Sequence, residues 1–528
     1  MLLFVLGCFP ELNSDHVADV PWRDDDGDGF SADEGDCADD DIDSYPGAPE
    51  LDDGVDNDCD ETVDEGLVDT GCLVVWFLDQ DGDGWGGETE VLACDRPDGT
   101  VDRPGDCDDG NYARSPGWDE DCGNDLDEDC DGLAPTCPWL GDQTLVDVAA
   151  ASYAGSSGAY AGRSVSAGDL NGDGFPDLAV GADQEEAVHL FWGPFEGELV
   201  ADATLTVPAQ DGRLGKTTLI HDVTGDGELD LLVAAPYWDS GRGVVHLFTG
   251  PVESGEQPSL SLPEVPFDSF GSAMAVGRWA DGERLVITSP THSGFGRVQL
   301  YDLPLTGTPA LEMQGDEGSL LGDGVVLTPD TDGDGLSELV ISSYIRNTVY
   351  LVTEPEHALK VSAGSVQLYA SAGQAGYGMA DCDVNGDGKS DLLISSGEPN
   401  QGRAVYLVEG PVASMNLSTA ATSFVGPGYF GRVVTCLDLD GSGLDDVVIP
   451  DLDGKGAVYV YYDPPAGSYD ATMADVRFVG EDGAGEYLFA LGDVGGDAEE
   501  DLAVASQLDN FGGGNRDGAV HLVFGAGL

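Results

Sequence analysis

At 528 residues the chain exceeds one ordinary domain, and 77 glycines beside 41% hydrophobic residues leave enough apolar material for a packed core. Its 19 Lys and Arg against 102 Asp and Glu give a formal charge of −83. That balance excludes a nucleic-acid surface or an anionic-lipid surface, which need a basic footprint, and it calls for cations among the carboxylates.

Residues 1–21 read as a leader and linker. The opening MLLFVLGCFP is apolar and short and lacks a basic stretch, so it is an incomplete signal peptide. Val5-Leu6-Gly7-Cys8 resembles a bacterial lipobox, which implies a lipid anchor at Cys8 and a secreted or cell-surface protein, either an outer-membrane lipoprotein or extracellular. No later run approaches ~18 consecutive apolar residues, so no transmembrane span is predicted.

Residues 22–138 form an acidic segment with eight of the 11 cysteines: Cys37, Cys59, Cys72, Cys94, Cys107, Cys122, Cys130 and Cys137. With almost no histidine nearby, disulfides in an oxidising compartment explain them better than zinc. Two copies of one motif, at about 22–66 and 76–135, run D-x-D-G-D-G, then DCxDD or DCDDG, then PG, then an acidic stretch ending DCD. This order resembles the MopE-like metal-binding repeat of bacterial surface proteins. Asp24, Asp26 and Asp28, and likewise Asp79, Asp81 and Asp83, have calcium-loop spacing. Copper, which that family's name implies, favours imidazole or sulfur ligands, and His16, just before the segment, is the only histidine of residues 1–138. Analogy between the copies pairs Cys37 with Cys59 and Cys107 with Cys130. So little apolar surface predicts a small, loop-dominated module held by disulfides and ions.

From residue 142 to 528 one pattern recurs every 53 to 55 residues: an aspartate loop, an apolar run, a Gly-rich turn and a second apolar run ending in Gly-Pro or similar. Loops start at Asp169, Asp222, Asp330, Asp383, Asp438 and Asp493, with a degenerate copy at Gly277, making seven units. Runs such as LAVGA and AVHLFWGP are β-branched, aromatic and bounded by Gly and Pro, and no long segment shows a 3.6-residue period. The expected fold class is all-β: a seven-bladed β-propeller preceded by the small acidic module. The units resemble the FG-GAP and VCBS repeats of integrin α-subunit propellers, with FG-like entries at Phe270-Gly271, Tyr377-Gly378 and Phe430-Gly431 and looser ones at Leu214-Gly215 and Leu321-Gly322. Thr144–Ala149, sequence TLVDVA, is placed to supply the outer strand of unit seven.

Acids at alternate positions turn oxygens toward one centre, and the glycines between them let the chain wrap a hard cation. The expected Ca2+ ligands are Asp169, Asn171, Asp173, the Phe175 carbonyl and Asp177 in unit one, and Asp222, Thr224, Asp226 and Asp230 in unit two. Unit four offers Asp330, Asp332, Asp334 and Glu338, and unit five Asp383, Asn385, Asp387 and Asp391. Unit six has Asp438, Asp440, Ser442 and Asp446, weakened by the serine; unit seven has Asp493, Asp497 and Asp501, with Gly495 in place of a ligand. Unit three keeps only Asp281 and is expected to be metal-free. One isolated copy would be an ordinary polar turn less often than a metal loop, and four complete copies at one period leave that alternative little room. The resemblance to integrin loops implies that the ion is structural. About four to six Ca2+ in the propeller and two in the module follow.

The leading functional expectation is a non-catalytic calcium-stiffened scaffold for adhesion or recognition of a surface protein or polysaccharide. Its rivals are an exported polysaccharide hydrolase or lyase and a purely structural envelope protein. His189, His246 and His521 share one repeat position, held elsewhere by Tyr or Gln, so they read as strand residues and not catalytic bases, and no GxSxG or HExxH motif occurs. His221, beside a loop, reads as supporting the metal site. Cys382 and Cys436, just before the loops of adjacent units, read equally as a disulfide or as two buried thiols.

Overall fold

Each apolar run after an aspartate loop becomes a strand buried on both faces, because a neighbouring sheet packs on either side. Asp177–Ala182, Ala187–Phe191, Asp230–Ala234 and Val244–Phe248 are buried at every position. The computed structural model describes most of residues 74–112 and 139–528, with isolated positions between 37 and 63 and at 114–116 and 130. The larger gaps after 139 are 208–211, 264–267, 356–359, 398–402, 507–516 and 526–528. Cys8, Asp24, Asp26, Asp28, Cys72, Cys94, Cys122 and Cys137 lie outside the described residues.

The chain divides into two compact units, 1–135 and 136–528. In the first, Val74–Leu78 is the centre of a three-stranded sheet with Glu90–Ala93 and Thr100–Val101. Disulfides join Cys37 to Cys59 and Cys107 to Cys130.

The second unit is the propeller, with seven sheets among its described residues, each of four antiparallel strands and four of them with a fifth, parallel strand at the outer edge. Blade one runs outward through Ala161–Gly168, Asp177–Ala182, Ala187–Phe191 and Ala203–Thr206. The inner strands of the other blades are Thr217–His221, Met274–Trp279, Val325–Thr328, Met379–Cys382, Thr435–Leu437 and Tyr487–Ala490. Each inner strand packs beside the next, and Tyr487–Ala490 lies beside Ala161–Gly168. The ladders between the four main strands stay within each blade. Among the described residues, between blades run only single bridges such as Gly243 to Phe270 and short parallel ladders in which Met415–Asn416, Ser468–Asp470 and Gly197–Glu198 pair with the outer strand of the preceding blade, so the ring is not sealed into one continuous sheet.

The outer strand of blade seven is Ala151–Ala154, paired with Ala519–Val523. An N-terminal strand therefore completes the last blade, as expected, but it is not Thr144–Ala149. Gly141–Thr144 instead adds a parallel strand to the outer edge of blade six, and Leu145–Val148 is a single helical turn. The reason is side-chain spacing. Leu145 and Val148, three apart, are both buried in the core between blades six and seven, which a strand of period two could not achieve.

Seven core clusters fill the spaces between blades, and each contains one residue that precedes a glycine at positive φ: Ala161, Leu214, Phe270, Leu321, Ala375, Phe430 and Ala484. In blade five the pair is thus Ala375-Gly376 and not Tyr377-Gly378. Gly376 has φ +80° and a Cβ there would meet Val349 Cγ2 at 2.5 Å, whereas Tyr377 is 43% exposed. Alanine at the apolar position hides the pair in three blades. Cys382 and Cys436, on adjacent inner strands, form a disulfide.

Candidate metal centre

Six loops join inner strands to their neighbours, and all are tied by the same two carboxylates. The first acid faces the turn's amides: Asp169 accepts hydrogen bonds from Gly172, Asp173 and Gly174, and Asp330 from Gly333, Asp334 and Gly335. Glycine is required inside these turns, since Gly172 and Gly174 have φ of +78° and +94°. Asp222 repeats the pattern; burial opposes it, but the amides of Gly227, Gly225 and Asp226 hold its carboxyl below the usual range.

The last acid is wholly buried and links the loop to the end of the third strand. Asp177 accepts from Leu170 and Asn171 at 2.8 and 3.1 Å and from Gly193 at 3.1 Å. Asp230 does the same with Val223, Thr224 and Gly250, and Asp501 with Val494, Gly495 and Gly525. Burial pushes Asp177 and Glu338 up despite their donors, brings Asp391 and Asp501 to about 6 and, with the charge of Asp440, brings Asp446 to about 8. A cation in the loop would offset that cost of burying negative charge.

The carboxylate oxygens of Asp330, Asp332, Asp334 and Glu338 all lie within 4.8 Å of one another, as do those of Asp438, Asp440 and Asp446, and of Asp79, Asp81 and Asp83. The described acids of blades one, two, five and seven share the turn without converging this closely. There Asn171 donates to Asp173 at 3.0 Å, Asn385 to Asp391 at 3.3 Å, and Asp173, Asp226, Asp387 and Asp497 accept from the amides of Phe175, Glu228, Lys389 and Glu499. The Phe175 side chain is exposed, so only its backbone could contribute a ligand. Among the described residues, buried oxygens without a hydrogen-bond partner sit in three of these loops, Thr224 Oγ1, Thr331 Oγ1 and Asp438 Oδ1, and in the first unit at Asp81 Oδ2, Asp83 Oδ2 and Asp106 Oδ2. Oxygen donors left unpaired in this way fit a hard cation.

Three features escaped the sequence reading. Asp106, from the DCDDG part of the motif, is raised by burial and by the charges of Asp81 and Asp83, which places it with the Asp79 triplet. In blade six, Asp463 stands where blades one, two and five have the glycine of Gly-Pro. It accepts from Ser442 Oγ at 3.1 Å, so a carboxylate reaches the position weakened by the serine. In blade three Arg284 occupies the register of the last acid, opposite Gly277 as Asp177 is opposite Gly168. The loop has shrunk to the tight turn closed by Trp279 and Gly282, and Arg284 bonds Asp281 and Asp302. A guanidinium thus sits in the chain itself where the other blades offer ligands. The signal was legible as an arginine at the end of the degenerate copy.

The histidines are cross-strand partners. His189, His246 and His521 each bond the hydroxyl directly opposite on the outer strand, of Thr204, Ser261 and Ser152, at 3.1, 2.8 and 2.8 Å. His221 contacts Glu283 of blade three at 3.3 Å, beside the loops.

The FG-GAP repeat model matches residues 161–191 and 217–248, and the model described as "Putative metal-binding motif" matches 36–65 and 106–134. The chain carries FG-GAP repeats. Phosphatidylinositol-glycan-specific phospholipase D of Rattus norvegicus is 30% identical over 151 residues, 25% of this chain and 18% of that protein. Integrin alpha-IIb of Mus musculus is 27% identical over 277 residues, 49% of this chain and 24% of the integrin. The matched segments thus span a quarter or less of these relatives' own length. The BBS1N chain in its crystal structure with ARL6DN, soaked with lead, aligns with a TM-score of 0.44 at 13% identity, over 73% of this chain and 96% of that one. Within the FG-GAP repeats matched here lie the complete loop of blade one and that of blade two.

Proposed function

We propose that this protein is an exported, calcium-stiffened surface scaffold that recognises a protein or polysaccharide ligand and is not an enzyme. One observation carries the reading: a single loop design, with a buried last acid and oxygen donors facing inward, recurs around one ring of FG-GAP repeats like those shared with integrin α chains. Bound Ca2+ would supply positive charge and fix each hairpin. Asp330, Asp332, Asp334 and Glu338 would hold it in blade four, and Asp438, Asp440, Asp446 and Asp463 in blade six. Calcium fits these all-oxygen sets better than copper, and the Asp79, Asp81, Asp83 and Asp106 group is likewise all carboxylate. Disulfides, with the lipobox-like start, support export. The phospholipase relatives are enzymes by name, but His189, His246 and His521 of this chain are engaged in cross-strand pairs.

Metal analysis of the purified chain should find about six to eight Ca2+ in total, and a glycan array with protein pull-down should find a ligand that chelation releases. A content of one ion or none would overturn the calcium reading. Hydrolysis of a polysaccharide panel would replace the scaffold with a hydrolase or lyase, and binding to nothing would leave a structural envelope protein.

A further inference from the structure

At the end of the inner strands opposite the aspartate loops lies a cavity of about 340 Å3 to which every blade contributes. Six blades supply the residue that follows the positive-φ glycine: Arg163, Lys216, Ser272, Asp323, Tyr377 and Arg432; blade seven supplies Tyr487. Three of the lining groups are cations and one is a carboxylate, in a chain with 19 basic residues and 102 acids. The repeat therefore concentrates at its axis the charge that the rest of the molecule lacks.

The cations are held on aromatic faces. The Arg163 guanidinium lies 4.6 Å from the Tyr487 ring centre, that of Arg432 5.7 Å from Tyr377, and Lys216 Nζ 5.1 Å from Tyr237. Such contacts fix a cation while leaving its N–H edges free to donate. Among the described residues, the side chains of Arg163 and Lys216 have no hydrogen bond or ion pair, and that of Arg432 reaches Glu486 only at 3.9 Å. Burial, then the charge of Arg163, pushes Lys216 down to about 8, so the group is held against mutual repulsion that an anion would relieve.

We propose that this axial cavity binds a small organic oxyanion about the size of an acidic sugar, its carboxylate or phosphate group taken by Arg163, Lys216 and Arg432. The volume suits a small ligand, since such sites begin at about 300 Å3. A polyanionic chain is disfavoured, because acids far outnumber bases in the rest of the sequence and would repel it. The site lies beyond the scaffold reading and does not depend on metal in the loops.

Calorimetric titration of the full chain with glucuronate, glucose 6-phosphate and, as neutral control, glucose tests it. Saturable binding of either anion, none of glucose, and weakening with salt are expected; the preferred anion distinguishes a carboxylate from a phosphate ligand. Arg163→Gln and Lys216→Gln should each weaken binding by about tenfold or more, as the loss of a charge-assisted bond does. Asp323→Asn, which removes the lining carboxylate, should strengthen it, so the idea does not rest on loss-of-function variants alone. Binding of neither anion by the folded wild type, or equal binding by all the variants, overturns the site. Either result leaves the metal content of the loops untouched.

Discussion

Arg284 places a fixed positive charge where the other blades have the last acid of the loop. It is 7% exposed and bonds the carboxylates of Asp281 and Asp302. Arg284→Gln should cost about 1–2 kcal/mol, since its partners are half-exposed and well solvated. That loss, read from urea midpoints, should be the same with and without EDTA. A loss that vanished on chelation would mean that blade three also holds a metal. His521 makes a second residue-scale test. Burial lowers its pKa from 6.5 to about 4. A depressed histidine contributes stability that is complete above pH 6.5 and lost as pH falls through about 4, worth up to about 3 kcal/mol. His521→Gln, which copies Gln299 of blade three, should flatten this part of the acid limb in a comparison of pH–stability curves.

The loops are also linked from blade to blade. Ser337 donates to the Arg278 carbonyl and Ser390 to that of Asp330, while Asp445 and Glu500 accept the amides of Asp383 and Asp438. Each contact joins the eighth loop residue to the start of the preceding blade's loop or hairpin. Asp463→Asn should therefore weaken the blade-six ion most, with a smaller effect on blade five through Asp445; Ca2+ titrations followed by NMR would resolve the two. An unchanged blade-six affinity would remove Asp463 from the site. The Cys382–Cys436 bridge ties the same two blades across 54 residues. Replacing both cysteines by alanine should cost about 2–4 kcal/mol by freeing the unfolded chain, measured as a fall in the denaturation midpoint.

At the scale of the molecule, charge governs stability. Eight Ca2+ would still leave most of the −83 charge, so removing them restores repulsion in every loop together. Chelation should lower the melting temperature by about ten degrees or more, and added NaCl should recover only part, because screening does not coordinate oxygens. The metal-free protein should also respond to acid in an unusual direction. Asp391 and Asp501 at about 6 and Asp446 at about 8 lie above the ordinary 3.8. Raised carboxyls contribute stability that is present at low pH and lost as pH climbs through those values. The chelated protein should therefore gain stability between pH 8 and about 5, and Ca2+ should abolish the gain. Melting curves that fall steadily with acid in EDTA would contradict it.

The period, the strands and the acidic loops were legible because a propeller repeats one local design: each loop's ligands lie within nine residues, and each buried strand is a short apolar run. The paired cysteines followed from comparing two copies of one motif. What sequence could not decide depends on neighbours in space. Whether Leu145 and Val148 turn as a helix was set by the gap between blades six and seven, and that Ala375-Gly376 is the entry pair of blade five was set by the close approach of Gly376 to Val349 of blade four. Asp463 and Asp106 join their loops from 17 or more residues away, and the cationic axis exists only when seven blades meet. Local chemistry is written along the chain; convergence of charges from separate repeats is a property of the ring.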